Sequence, residues 1–443
     1  MLERIRELSE IKNYIELKKY LTTLDPADIA IFISELSSEE FVIVYRLLPK
    51  DIAAEVFVEL DSDLEEKLIN LFTDKELKEV LDELFLDDTA DLIEEMPANV
   101  VRRIVKNISK KDRKIVNELL KYPEDSAGSI MTPEFIDFKV NMTMEEAFEN
   151  LRKVGADKVN VYTGYVLTAS RKILGKIDVK DMILADKDQS LKDIMDDNII
   201  TVNTLEDQEE VVKKFQKYDL IDLPVVDNEN RLVGIITVDD AIDVMQEEAE
   251  EDFEKMAAMS HSEDGYFKTT VFAHAKNRML WLLLLMISSA VTGAIITKYE
   301  MAFEALPILV SFIPMIMGTG GNCGSQASTL VIRGMAVEEI KLKDWIKVIW
   351  KEIRVGFLVG MALLVVNAIR IYLQYKDLKL CIVLGLTLIG TVIVAKIIGA
   401  ILPMLAKKLK QDPAIMAAPF ITTVVDLCSV MLYFQVATII MGL

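Results

Sequence analysis

Histidine and cysteine are scarce in this chain. Its 443 residues include two histidines, His261 and His274, and three cysteines, Cys323, Cys381 and Cys428. Two imidazoles do not make an imidazole-rich transition-metal site. The cysteines show neither zinc-ligand spacing nor a disulfide framework. All three lie in apolar stretches, where cysteine usually serves as a small hydrophobe. Basic charge is also short, with Lys+Arg 50 against Asp+Glu 71 and a net charge of −21. A surface this acidic repels phosphate, which argues against nucleic acid as a partner, and it attracts cations. The N-terminus, MLERIRELSEIKNY, lacks the apolar core of a secretory signal, so the acidic part is expected to stay in the cytoplasm. The apolar stretches contain no nucleophile–base set and no zinc motif, which argues against an enzyme.

The charge is divided unevenly. Residues 271–443 carry 16 basic and 9 acidic side chains, net +7, and residues 1–270 carry net −28. The basic part contains five apolar stretches near the roughly 20 residues that a membrane helix needs. They run from Met279 to Thr297, from Met301 to about Ile332, from about Val355 to Ala368 with its flanks, from about Leu380 to Ala406, and from about Pro413 to Leu443. If residues 1–270 lie inside, eleven basic residues flank the inner ends and four the outer loops. That bias predicts an inside N-terminus and an outside C-terminus. Trp281, Trp345 and Trp350 fall near the inner boundaries, where indole rings prefer to sit.

The acidic part reads as short helices over residues 20–120. LDPADIAIFISEL, LPKDIAAEVFVEL and LFLDDTADLIEEM each place an aspartate ahead of an amphipathic run, which suits a loose helical superhelix. Pro26 and Pro49 suit first helical turns. Residues 128–245 contain a repeat of 64 residues: Met131 matches Met195, Phe138 matches Val202, and Ala147 matches Val211. A glycine precedes an apolar strand and a helix start in each copy, at Gly175 and Gly234. This arrangement resembles a tandem of CBS domains, a module that often binds adenosine nucleotides such as ATP. Thr237 and Asp240 fit the Thr-x-x-Asp turn that contacts ribose and phosphate there, and Asp178 replaces the threonine in the first copy. Simple capping of the next helix accounts for Thr237 and Asp240 equally. Glu247, Glu248, Glu250, Glu251, Asp252 and Glu254 then crowd three turns before the first span.

Ionisable groups are rare within the apolar stretches. Asp426 lies about 12 residues into the fifth, about 18 Å deep at about 1.5 Å per residue. A carboxylate at that depth must face water, protein or an ion. Thr422 shares its face one turn earlier, and Pro419 is expected to free the carbonyl of Ile415. In the second stretch, Gly318-Thr319-Gly320-Gly321-Asn322-Cys323-Gly324-Ser325-Gln326 suits backbone that lines a cavity or packs closely on another helix. Asn322 is expected at the depth of Asp426. Lys396, in the fourth stretch, is expected to snorkel to the inner interface, with pairing to Asp426 as the alternative.

Several motifs together identify a family resemblance. They are PMIMGTGGNCGSQ from Pro314 to Gln326, Ser328-Thr329, Arg333-Gly334, Asp412-Pro413-Ala414, Pro419-Phe420-Ile421-Thr422-Thr423 followed by Asp426, and Glu248-Ala249-Glu250-Glu251-Asp252. The chain resembles the MgtE family of magnesium channels and transporters over essentially its whole length. The resemblance implies a multidomain α-helical membrane protein. Residues 1–125 form an all-α superhelical cytosolic domain, 126–245 α/β tandem CBS domains, 246–273 an acidic connecting helix, and 274–443 a transmembrane domain of five helices. It implies a homodimer in the plasma membrane, with a Mg²⁺ pathway along the second and fifth helices at Asp426, Asn322, Gly318, Gly321, Ala418 and Thr422. It also implies a gate that Mg²⁺ closes by binding Asp88, Asp91, Asp207, Glu209, Asp219, Asp240, Asp243, Glu248, Glu251 and Asp252. The charge supports such a gate independently, since faces this acidic close on one another only when cations bridge them. Ala417-Ala418 replaces the family's usual Ser-Gly, Lys396 is unexpected, and no glycine follows Asp426. A channel for Mn²⁺, Ca²⁺ or Co²⁺, or a non-conducting sensor of Mg²⁺ or nucleotide, are the alternatives.

Overall fold

The computed structural model describes residues 2–260, 266–299, 307–416 and 418–442. His261, Ala417 and the expected start of the second span at Met301 lie outside the described residues. The chain divides into two compact units, Met1–Gln246 and Glu247–Leu443.

The first unit opens with ten short helices, α1 (Leu2–Glu10) to α10 (Lys110–Leu119). Local capping limits their length. Asp25 accepts a hydrogen bond from the Ala27 amide before α3 (Pro26–Ser34), Thr73 and Glu76 close a capping box before α7 (Asp74–Leu81), and Ser109 caps α10. Pro26 stands in a first turn. Pro49 instead caps α5 (Lys50–Val58) from one residue earlier, with extended backbone at φ −59° and ψ 156°, a conformation open to proline's fixed φ. Ile29, Phe32, Phe41, Phe57, Leu68, Leu77 and Ile104 join one continuous apolar core from α1 to α9 (Ala98–Asn107).

The sequence repeat becomes two matching sheets. In the first, β1 (Ile136–Lys139) pairs parallel with β2 (Thr163–Leu167), which pairs antiparallel with β3 (Ile173–Asp178). In the second, β4 (Val202–Asn203), β5 (Asp222–Val226) and β6 (Leu232–Thr237) repeat that order. Helices α11 (Met144–Val154) and α14 (Gln208–Tyr218) follow the first strand of each copy. Helix α12 (Val179–Leu184) follows β3, α13 (Leu191–Ile194) opens the second copy, and α15 (Val238–Met256) follows β6. The copies exchange their leading segments. Thr132 bonds reciprocally with Ile235, and Asp196 with Lys176. The Met131 sulfur lies 2.7 Å from where a Cβ on Gly234 would sit, and the Met195 sulfur lies 2.6 Å from the same point on Gly175. The repeated glycines therefore serve the repeated methionines, each copy receiving the other's.

The second unit holds five helical stretches long and apolar enough to cross a membrane: Val271–Lys298, Pro307–Ala336, Leu342–Tyr375, Leu378–Lys408 and Pro413–Met441. They are called the first to fifth spans below. The α-helical part of the third, Trp345–Tyr375, outruns its apolar centre at both ends, because Lys347, Lys351 and Arg354 prolong the helix without adding apolar surface. The second, fourth and fifth spans pack through glycine. A Cβ on Gly399 would lie 2.2 Å from the carbonyl oxygen of Gly324, so the second and fourth spans approach backbone to backbone.

Two local expectations are corrected. Lys396 does not snorkel; it is buried, with Nζ 3.6 Å from Glu352 Oε2 on the third span. A partner within the helix packing makes the reach to water unnecessary. Pro419 frees no helix carbonyl, because the α-helix of the fifth span begins at Ala418 and Ile415 belongs to a separate 3₁₀ turn, Pro413–Met416. A first-turn proline lacks an N–H that no carbonyl was going to use.

Gly399→Ala should therefore destabilise the membrane unit by about 1–3 kcal/mol, the usual cost of overpacking. Gly293→Ala, whose Cβ would meet nothing within 4 Å, should leave it unchanged or slightly more stable. Thermal unfolding of the detergent-purified variants measures the difference.

Candidate functional site

The helix of the second span, Ile313–Ala336, has two unlike faces. Gly320, Gly321 and Gly324 are turned inward. Added Cβ atoms would lie 2.9 Å from Val425 Cγ1 at Gly320, 2.9 Å from Thr422 Cγ2 at Gly321 and 2.8 Å from Ile421 Cγ2 at Gly324, all on the fifth span. These contacts bring Asn322 and Asp426 to adjacent turns of a packed, antiparallel helix pair. The other face, at Pro314, Gly318, Asn322, Gln326, Thr329 and Arg333, is exposed. Steps of three and four residues place these positions on one stripe, and Gly318 opens onto space with nothing within 4 Å of its Cβ position. Amides on the outer face of an apolar helix demand water, protein or an ion in front of them.

Asp426 is half-buried on the fifth span. Among the described residues its carboxylate has no hydrogen-bond or ion-pair partner. Thr422 and Thr423 donate their hydroxyls to the Pro419 carbonyl at 2.9 and 3.0 Å. Thr422 thus shares the helix with Asp426 while its methyl packs on Gly321. Ala418 opens the same helix. The pathway residues expected from sequence therefore separate into Asn322 and Gly318 on the exposed stripe, Asp426 half-exposed nearby, and Gly321 at the packing contact.

A second charged site forms in the first unit. Helix α8 (Leu86–Glu95) places Asp87, Asp88 and Asp91 in its first turns, beside Asp240 in the first turn of α15. Burial, then Asp87, Asp91 and Asp240, push the Asp88 carboxyl up to about 8. Burial, then Asp87, Glu94, Glu95 and Asp240, push Asp91 up to about 7. Burial also raises Asp87 and Asp240 to about 6, although each receives a threonine hydrogen bond, from Thr132 at 3.1 Å and from Thr237 at 2.5 Å. Glu65 is buried too and rises to about 8, first through desolvation and then through Glu95 and Asp88. Asp87, Asp88, Asp91, Asp240 and Glu65 lie among like charges, and among the described residues no ion pair joins them to a lysine or arginine. Among the described residues no three potential ligands stand close enough to enclose a metal ion.

The other expected gate residues lie apart from this cluster. Asp207 caps α14 by accepting from the Glu209 amide at 2.9 Å, and Glu209 pairs with Lys213 at 2.9 Å. Asp219 ends α14 in left-handed backbone, φ 50°. Asp243, one turn past Asp240, is raised by burial and by Asp239. Glu248, Glu251 and Asp252 continue along α15, where Glu251 binds Lys255 at 2.7 Å and Lys255 reaches Asp412, just before the fifth span, at 2.9 Å. Asp87 and Glu65 were not anticipated as members of the cluster. The doubled Asp87-Asp88 was visible in the sequence, whereas Glu65 lies more than twenty residues away and carried no signal.

A cavity of about 730 Å³ opens beside the first sheet copy, lined among others by Tyr162, Lys176, Asp178, Lys180, Tyr218 and Asp219. Thr237 donates its hydroxyl to Asp240 at 2.5 Å, and neither is among the cavity's lining residues.

Comparison with known proteins places these features together. Residues 24–125 match the MgtE intracellular N domain, 191–247 a CBS domain, and 313–436 a divalent cation transporter domain, MgtE. The chain is 35% identical to the magnesium transporter MgtE of Thermus thermophilus over 429 residues, 96% of this chain and 95% of that relative. It is 32% identical to the magnesium transporter MgtE of Bacillus subtilis over 423 residues, 96% and 93% of the two chains. The crystal structure of the cytosolic domain of the Mg²⁺ channel MgtE in complex with ATP covers 55% of this chain and 100% of its own, at 35% identity and a TM-score of 0.53.

The acidic cluster predicts an inverted pH dependence. Carboxyl values raised above those of the unfolded chain mean that the folded state binds more protons between about pH 4 and pH 8. In chelator, the melting temperature of the full-length protein should fall as pH rises from 5 to 8. The rise in melting temperature on adding a divalent cation should grow over the same interval, as measured by scanning fluorimetry in detergent.

Proposed function

Since this chain belongs to the MgtE family of magnesium transporters, we propose that it is a Mg²⁺ channel that imports the ion down the membrane potential and is shut by Mg²⁺ on its cytosolic side. The observation that carries this reading is the unpartnered Asp426 carboxylate beside an exposed stripe of Gly318, Asn322 and Gln326 in otherwise apolar spans. Lipid cannot satisfy that stripe. A second copy of the same chain can, by meeting it across an aqueous path, so the reading includes a homodimer with the second and fifth spans of both copies around the ion. Mg²⁺ gives up water reluctantly and prefers oxygen ligands. Asp426 and the Asn322 amide offer oxygen to a hydrated ion, with Thr422 and Ala418 shaping the same helix end.

The gate follows from the acidic cluster. Asp88, Asp91 and Asp240 oppose one another without a protein cation. A divalent ion relieves that repulsion and holds α8 to the start of α15. Helix α15 continues through Asp243, Glu248, Glu251 and Asp252, so whatever fixes its first turn bears on the helix that leads to the membrane unit. Asp207, Glu209 and Asp219, expected to take further ions, would have to do so beside the cap and ion pair that already engage Asp207 and Glu209. The charge bias of the loops supports cytoplasmic domains and a C-terminus outside the plasma membrane. ATP, present in the similar cytosolic domain, is assigned here to the cavity at Lys176, Asp178 and Lys180, where two lysines face phosphate and Tyr162 and Tyr218 offer stacking surfaces.

Proteoliposome flux tests the reading. Wild-type protein should carry Mg²⁺ at low cytosolic Mg²⁺ and slow at millimolar levels. Asp426→Ala should lose at least about tenfold of that flux, because Asp426 is the only acidic side chain among the described residues of the second and fifth spans. Asp91→Ala should keep its flux at millimolar Mg²⁺. Flux of Mn²⁺, Ca²⁺ or Co²⁺ equal to that of Mg²⁺ would shift the assignment to a general divalent channel, and no flux at any concentration would favour a sensor.

A further inference from the structure

Lys396 and Glu352 form an ion pair inside the apolar spans, with side chains 5% and 11% exposed. Glu352 Oε2 makes no hydrogen bond, so the lysine charge is what faces it. The pair belongs to an ordered seam. A Cβ on Gly360 would lie 3.0 Å from the Cα of Ile389, and one on Gly356 would lie 3.2 Å from the Cα of Ile393. Glu352 and Lys396 occupy the next turn of the same antiparallel register. On its other side this stretch of the fourth span supports the second span: the Ala395 carbonyl is 3.4 Å from the Cβ position of Gly324, and Gly399 receives the Gly324 backbone. Lys396 is within electrostatic reach of Cys323, the neighbour of Asn322. A lysine thus stands directly behind the helix whose outer face carries Asn322.

A fixed positive charge in that place opposes any cation moving along the other face, and opposes a divalent ion twice as strongly as a monovalent one. We propose that Glu352 is a positioning residue that cancels the Lys396 charge behind the second span, so that the pair sets helix register without repelling the transported cation. This inference rests on the channel reading and extends it to two residues that do not touch the ion.

The experiment compares Mg²⁺ flux in proteoliposomes for wild type, Asp426→Ala, Glu352→Gln, Lys396→Met and the double variant Glu352→Gln/Lys396→Met, at matched incorporation. Glu352→Gln leaves the lysine uncompensated and should lower flux more than about tenfold. The double variant removes both charges and should return to within about threefold of wild type, since a buried pair replaced as a unit is often neutral. A packing role alone would leave the double variant at least as impaired as the single one. Where Glu352→Gln does not fold, the reversed pair Glu352→Lys/Lys396→Glu takes its place, and it should conduct. Wild-type flux in Glu352→Gln, a double variant as slow as Glu352→Gln, or a folded but silent reversed pair would overturn the proposal alone. Absence of any Asp426-dependent flux in the wild type would overturn the channel reading and this proposal with it.

Discussion

Carboxylates withdrawn from water need a counter-charge, and this chain withholds its own cations from the places that need them most. Asp426 stands half-buried without a partner among the described residues, and Asp88 and Asp91 are driven to about 8 and about 7 by burial and by one another. Several other cations are held by partners of their own. Lys396 is held by Glu352, Lys255 by Glu251 and Asp412, and Arg103 by Asp74 and the carbonyls of Ile69 and Phe72. Burial and mutual repulsion therefore raise the Asp88 and Asp91 carboxyls instead of a basic side chain lowering them.

The membrane unit handles the same problem through the division of one helix into two faces. Glycines at 320, 321 and 324 let the fourth and fifth spans approach closely, and the turn between them leaves Gly318, Asn322 and Gln326 outward. Close packing of small residues and exposure of polar ones are therefore consequences of one helical period. Of the two readings of the glycine-rich segment, tight packing holds on one side, and the other side is exposed. The backbone contact at Gly324 and Gly399 ties the position of the fourth span to that of the second.

The cytosolic unit was partly readable from its repeats. Methionines recurring 64 residues apart, at 131 and 195, and glycines 59 apart, at 175 and 234, pointed to two like modules, and the structure shows why both recur: each methionine fills the space left by the other copy's glycine. The acidic gate was readable as a composition but less so as a constellation. Asp88, Asp91 and Asp240 do meet, whereas Asp207 and Glu209 cap and stitch α14. Carboxylates serve equally as helix caps and as cation ligands, and spacing along the chain does not distinguish the two uses. Glu65 joined the cluster through tertiary packing alone.

Local chemistry by itself determined the five spans, the short capped helices, the repeated sheets and the unusual cost of Asp426. Each depends on residues within one turn, one strand pair or one hydrophobic run, and the energies involved are set before the chain folds up. The partners of the buried charges were decided only by tertiary structure. Lys396 sits at a depth from which snorkelling was the local solution, and the third span offered Glu352 instead. Pro419 lost its expected effect because the helix starts one residue before it. A charge chooses its partner by distance in space, and that distance is fixed by how distant helices pack rather than by anything adjacent in the chain.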